Sequence, residues 1–143
     1  MTGLLVMVDI AGRRAAIPAA EVNSVIELEK VYPIPRAPDY VTGLSAMRSQ
    51  SLTVVDCRKA LGLQGESDAA ERAPVVDIDG HLYALLVDAV DDVAEAQSEI
   101  TAVAGGFGKN WQRVAHGMVE TADGPALVID VRCLIEGPPA VAA

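Results

Sequence analysis

The chain has 143 residues, 51% of them hydrophobic, with a formal net charge of −9 and two cysteines. That length and apolar content describe one globular domain, or two tightly joined subdomains, able to bury a core without disulfides or metal, and they exclude a disordered chain. The acidic balance argues against nucleic acid and anionic membrane as partners, and no apolar stretch approaches the roughly 20 residues a membrane span requires.

Leu4 to Ile10 is apolar and rich in β-formers. Asp9 interrupts it and no basic leader precedes it, so it reads as a strand and not as an export signal. Ala11-Gly12-Arg13 supplies a turn, and Ala15 to Ile17 returns as a second strand before Pro18. Ala19 to Val22 fits one helical turn. Val25 to Glu29 continues as a strand, with Glu27 and Glu29 two apart and so on one face. Pro33, Pro35 and Pro38 make Tyr32 to Pro38 a stiff surface connection. Val41 to Met47 and Leu52 to Val55 read as strands. Asp56 or Cys57 then opens a short helical piece that Gly62 stops.

Gln64 to Arg72 is polar and charged, and reads as a linker dividing the chain near its middle. Beyond it, Val75 to Ile78 and Leu82 to Val87 flank Asp79-Gly80, a hairpin signal because the turn needs positive φ. Val90 to Ala96 reads as a further strand and Ala104 to Asn110 as a glycine-rich loop. Arg113 to Glu120 and Ala126 to Ile129 flank a turn at Ala122-Asp123-Gly124. Asp130 caps a short helix to Ile135, and residues 137–143 read as a frayed tail. Short strands with frequent turn signals predict an all-β fold of two small barrels or a sandwich. No fixed-period repeat is evident, and the halves are alike only in strand density.

A catalytic site needs a nucleophile, a base or a metal cluster at workable spacing, and none stands out. His81 follows a turn and reads as exposed. His116 lies in the apolar segment Val114 to Val119 and reads as a structural histidine. Without HExxH or CxxC, the two histidines make no zinc site. Cys57 and Cys133 read as buried free thiols of a reducing compartment. Gly105-Gly106-Phe107-Gly108-Lys109 fails as a phosphate loop, because Val103 stands where the first glycine belongs and Asn110 follows the lysine. The acidic cluster Asp88, Asp91, Asp92 reads as a solvated strand end and not as a metal site. The expectation is therefore a protein that binds and does not catalyse, with no cofactor and no metal. Two surface candidates remain. Val25-Ile26-Glu27 pairs apolar residues with a charge. Arg48 either locks the barrel against Asp56 or Glu27, or engages a partner with its planar fork.

The order of motifs resembles the CheW domain family. Val25-Ile26-Glu27 is followed by Pro33-Ile34-Pro35, then by Ala37-Pro38-Asp39-Tyr40-Val41-Thr42-Gly43. Ala46-Met47-Arg48 and Val54-Val55-Asp56-Cys57-Arg58 come next. Leu85-Leu86-Val87-Asp88-Ala89-Val90-Asp91-Asp92-Val93 resembles a later family segment, and Gly117, Asp123-Gly124 and Leu127-Val128-Ile129-Asp130 resemble its closing hairpin. The resemblance covers nearly the whole chain. Ser49 stands where the family usually has glycine, and Thr53 where it usually has proline.

The resemblance implies a single domain over residues 1–143, made of two five-stranded SH3-like barrels sharing a core, with short helices between strands and at the C-terminus. It implies a cytoplasmic chemotaxis adaptor with two partners. One is the regulatory domain of a CheA-type histidine kinase, docking on the first barrel at Val25, Ile26 and Glu27, with Phe107 as a second contact. The other is the cytoplasmic tip of a chemoreceptor, bound near Arg48, Val87 and Val90 in the groove between barrels. A small-ligand-binding β-barrel and a CheW-like coupler serving another output are the alternatives.

Overall fold

The structure, a computed structural model, describes residues 3–28, 30–47, 50–63, 72–102, 108–122 and 124–136. Glu29, Arg48, Ser49, residues 64–71, Phe107 with the loop before it, Asp123 and the tail 137–143 lie outside the described residues. So do the expectations placed on them.

Among the described residues, ten strands and three short helices follow one another. Strand β1 (Leu4–Ile10) turns at Ala11-Gly12 into β2 (Arg13–Pro18), and a 3-10 turn (Ala19–Glu21) leads to β3 (Val22–Glu27). After the proline connection come β4 (Val41–Met47), β5 (Gln50–Asp56) and α1 (Cys57–Ala60). Then β6 (Arg72–Ile78), β7 (His81–Leu86) and β8 (Ala89–Glu95) follow. The chain closes with α2 (Gly108–Val114), β9 (Ala115–Thr121), β10 (Gly124–Ile129) and α3 (Val131–Ile135).

The strands form two five-stranded sheets, β8-β1-β2-β10-β9 and β3-β6-β7-β5-β4. Alternation along each strand feeds two different cores. In β1, Val6, Val8 and Ile10 point between the sheets, where they meet Val55, Val76 and Leu85 of the second sheet and Trp111, Val114, Val131 and Leu134 of the helices. Leu5 and Met7 point the other way, into a cluster with Ala16, Val119 and Val128 inside the first sheet's curl. Leu52, Val54, Val75 and Ala84 fill the second sheet's curl. Burial on both faces is why these strands read as continuous apolar runs. The all-β expectation of two small subdomains around a shared core agrees with this arrangement.

Several expectations are corrected. The polar stretch 64–72 does not part the two sheets, because α1 before it follows β5 and the strand after it is β6, both of the second sheet. The first sheet instead joins β1 and β2 from the start of the chain to β8, β9 and β10 near its end. Residues 108–114, split between an expected loop and an expected strand, form α2. Its Trp111 and Val114, three apart, share the face turned to the common core.

The expected absence of a repeat is also wrong. Strand for strand, the sheets have the same order and sense. The pairs β8·β1, β1·β2 and β10·β9 are antiparallel and β10·β2 parallel, while β3·β6, β6·β7 and β4·β5 are antiparallel and β5·β7 parallel. The β1–β2 and β6–β7 hairpins turn alike, with φ of 54° and 79° at Ala11-Gly12 and 53° and 87° at Asp79-Gly80. Asp56-Cys57-Arg58 and Asp130-Val131-Arg132 start equivalent helices, and each aspartate caps its helix. Gly43 and Gly117 lie as far apart in sequence as those aspartates, and each lets a preceding segment cross its strand. In sequence the repeat is tandem, β1 to β5 recurring in order as β6 to β10, but each sheet takes two strands from one copy and three from the other.

Candidate functional site

Strand β3 is an edge of the second sheet, and among the described residues it pairs only with β6, with no strand on its other side. Its alternation places Asn23, Val25 and Glu27 outward and exposed, with Val25 at 38%. Ile26 turns inward against the second sheet's own cluster. Of the three expected contact residues, Val25 and Glu27 therefore face solvent while Ile26 anchors the strand that presents them. Glu27 stands opposite Arg72 in the register, and the Arg72 guanidinium donates to the Val90 carbonyl of β8 at 3.3 Å. The two sheets thus meet beside Glu27. The expected contact strand thus belongs to the second sheet, not to the sheet holding the start of the chain.

Val87, expected at the receptor surface, is fully buried in the shared core and reaches no partner. Its place after β7 turns it inward to meet Val8 and Ile10. Val90 is half-buried and packs on the same core. The exposed apolar residue of β8 is Val93, at 55%, beside Leu4 at 59%. Val93-Ala94-Glu95 repeats the Val25-Ile26-Glu27 pattern at the equivalent register. Val93 faces Val6 where Val25 faces Pro74, and Glu95 faces Leu4 where Glu27 faces Arg72. Reading the strand pattern twice in the sequence would have found it.

Of the acidic cluster, Asp91 is exposed as expected, whereas Asp88 is drawn inward. The Asp88 carboxylate accepts a fork from Arg58, at 3.3 and 2.9 Å, and also accepts the Ala11 amide at 2.6 Å. Asp91 pairs with Arg14 at 2.9 Å. Among the described residues, no group of three or more His, Cys, Asp or Glu is placed to share a metal ion. His116 is exposed, contrary to its reading as a structural histidine, because β9 turns Gly117 and Val119 inward. It borders a cavity of about 240 Å³ with Glu21 and Asp130. Burial, and then the Asp130 charge, hold the Glu21 carboxyl above its usual range, with His116 opposing. Cys57 is buried, and burial pushes its thiol far up; Cys133 is only half-buried.

A polar groove of about 510 Å³, lined by Asn23, Gln50, Ser51, Thr53, Asp77 and His81 among others, opens at the β6–β7 turn end of the second sheet. It lies outside the barrel, whose interior is filled by aliphatic side chains. No helix among the described residues is long and apolar enough to cross a membrane.

The class defined by this geometry is a doubled, two-sheet β domain whose exposed edge strands bear apolar and acidic residues. The sequence profile of the CheW-like domain matches residues 4–138, and the chain belongs to that family. Its role is accordingly that of a chemotaxis coupling adaptor, a scaffold of the kind that links receptors to CheA. The fold is similar to that of the scaffolding protein TtCheW from Thermoanaerobacter tengcongensis, with a TM-score of 0.79 and 22% identity over 94% of this chain and 88% of that one. No curated protein matches the chain by sequence.

Proposed function

We propose that the chain is a cytoplasmic, non-enzymatic adaptor that holds the regulatory domain of a CheA-type kinase on β3 and the cytoplasmic tip of a chemoreceptor at the seam between the sheets. The observation that carries the kinase surface is the open edge of β3, with Val25 and Glu27 outward and Ile26 locked inward. An exposed apolar residue beside a charge on a rigid strand suits a docking centre with a polar rim. Phe107 and Arg48 enter from the family resemblance alone, as second kinase contact and receptor contact. On β8, Val90 shapes the seam and Val93 takes the contact role expected of Val87. The mechanism is geometric, because two partners on one rigid domain let receptor state bias the kinase through differential contacts.

The test is titration of the purified protein with a kinase regulatory domain and, separately, with a receptor signalling fragment. Glu27→Lys should weaken kinase binding by about tenfold and leave receptor binding within about twofold, as loss of one charged rim contact predicts. Equal loss of both, or no binding of the unaltered chain at tens of micromolar, defeats the reading.

A further inference from the structure

The repeat has a consequence for how the sheets are joined. Helix α1 continues from β5 of the second sheet and α3 follows β10 of the first. Each carries an arginine two residues after its capping aspartate, and each arginine reaches into the opposite sheet. Arg132 of α3 grips Asp79 in the β6–β7 turn, at 2.7 and 3.3 Å. Arg58 of α1 grips Asp88, which in turn accepts the Ala11 amide in the β1–β2 turn. Ala11 and Asp79 hold equivalent turn positions, with φ of 54° and 53°. In one half the carboxylate belongs to the turn itself. In the other the turn has alanine, and Asp88 supplies the carboxylate from the start of β8, where its own amide donates to the Asp9 carbonyl at 2.8 Å.

The two grips are unequal. The Arg132 and Asp79 side chains are 56% and 71% exposed, so salt screens them and their hold is weak. The Arg58 and Asp88 side chains are only 27% and 17% exposed. Their fork is directional and partly shielded, and the Ala11 amide fixes the carboxylate from a third side. Asp88 also touches three elements at once: α1, the β1–β2 hairpin and the start of β8.

We propose that Arg58 and Asp88 are positioning residues that set the angle between the two sheets, and with it the placement of β3 relative to β8. The consequence for coupling rests on the adaptor reading above; the consequence for sheet angle does not. The exposed Arg132–Asp79 pair acts as the yielding side of the same joint.

The experiment has two readouts. Spin labels at Thr42→Cys on β4 and Glu120→Cys on β9, both exposed and on opposite sheets, report the inter-sheet distance in a Cys133→Ser background with Cys57 buried. Asp88→Asn retains an acceptor for Ala11 but loses the charge that holds Arg58. It should broaden the distance distribution. In a reconstituted receptor–kinase assay it should reduce receptor control of the kinase by about tenfold, with affinity for each partner alone within about twofold. Asp79→Asn should do less on both counts.

Should Asp88→Asn fail to fold, Arg58→Lys, which keeps the charge and loses the fork, takes its place. An unchanged distance distribution overturns the proposal, as does a broadened one with receptor control intact. If the unaltered chain binds neither partner, the adaptor reading fails, and the label distances alone decide whether the joint is set by this pair.

Discussion

Gly43 and Gly117 carry the sharpest stability prediction. At Gly43, a Cβ would sit 2.8 Å from the Tyr32 carbonyl carbon and closer still to its oxygen. At Gly117 it would sit 2.6 Å from the Thr101 oxygen and against the Ile100 side chain. Backbone cannot give way as a flexible side chain can, so relief requires the crossing segment to lift off. Tyr32 and Leu44 exchange two amide–carbonyl bonds of 2.8 Å, and Thr101 and Met118 do the same. At about 1 kcal/mol net for each bond, Gly43→Ala or Gly117→Ala should cost roughly 2 kcal/mol. Lifting the Tyr32 segment would also strain the Ser45 bond to the Lys30 carbonyl and the packing of Val31, so this figure is a lower bound.

For a chain of this size that lowers Tm by roughly 4–8 °C. Urea unfolding should show a lower midpoint with little change in slope. Hydrogen exchange should show lost protection at Tyr32 and Leu44 in one variant and at Thr101 and Met118 in the other. The two should add, since the segments cross different sheets. Gly3→Ala, with nothing within 4 Å of the added carbon, is the control. A loss below about 0.5 kcal/mol with protection retained would refute the reasoning, because it falls within the range of ordinary surface substitutions.

The remaining predictions concern caps, charges and thiols. Asp56→Ala removes the acceptor for the Arg58 and Lys59 amides and should destabilise by about 1 kcal/mol or more, given its burial, in denaturant titration. The Arg132 hydrogen bond and charge hold the Asp79 carboxyl below its ordinary value of 3.8, so this contribution is full above that value and is lost as pH falls through the folded-state value. Arg132→Ala should remove that part of the acid limb in a stability–pH profile, and added salt should weaken it. Glu21 behaves oppositely. Its raised value means stability is lost as pH rises from the ordinary 4.5 through the folded-state value, so Glu21→Gln should raise Tm slightly at neutral pH. Thiol titration of the native protein should modify Cys133 well before Cys57, which should react only on unfolding.

Local chemistry was legible in the sequence wherever one residue type has one use. Asp79-Gly80 announced its turn, Asp130 its helix cap, and Val25-Ile26-Glu27 a strand with one side outward. Pairing across distance was not legible. Asp88, Asp91 and Asp92 form a run in sequence, yet Asp88 turns to Arg58 and Asp91 to Arg14 because the strand alternates and the partners come from other elements. Val87 was placed at the receptor groove by the family resemblance alone, but one residue's shift in phase decides which way a side chain points. The segment 108–114 was missed because its apolar pair at helical spacing adjoins a real strand. The repeat was hidden because the interval between equivalent positions lengthens after β3, so no single offset aligns Ala11 with Asp79 and also Asp56 with Asp130.

Duplication also explains why, among the described residues, two sheet edges are open and not four. In each sheet the strand with the close-approach glycine is crossed, β4 by Tyr32 and β9 by Thr101. The opposite edges, β3 and β8, have no such crossing among the described residues. An open edge invites pairing with any other strand, including another copy of itself. Here both edges carry an exposed glutamate beside their exposed valine, Glu27 on β3 and Glu95 on β8. Bringing two copies together edge to edge would set like charges against each other, which opposes self-pairing. A partner that meets the valine with an apolar centre and the glutamate with a basic group suffers no such repulsion. The same two residues that advertise a docking strand therefore also restrict what docks on it, as selective attachment of a scaffold to its partners requires.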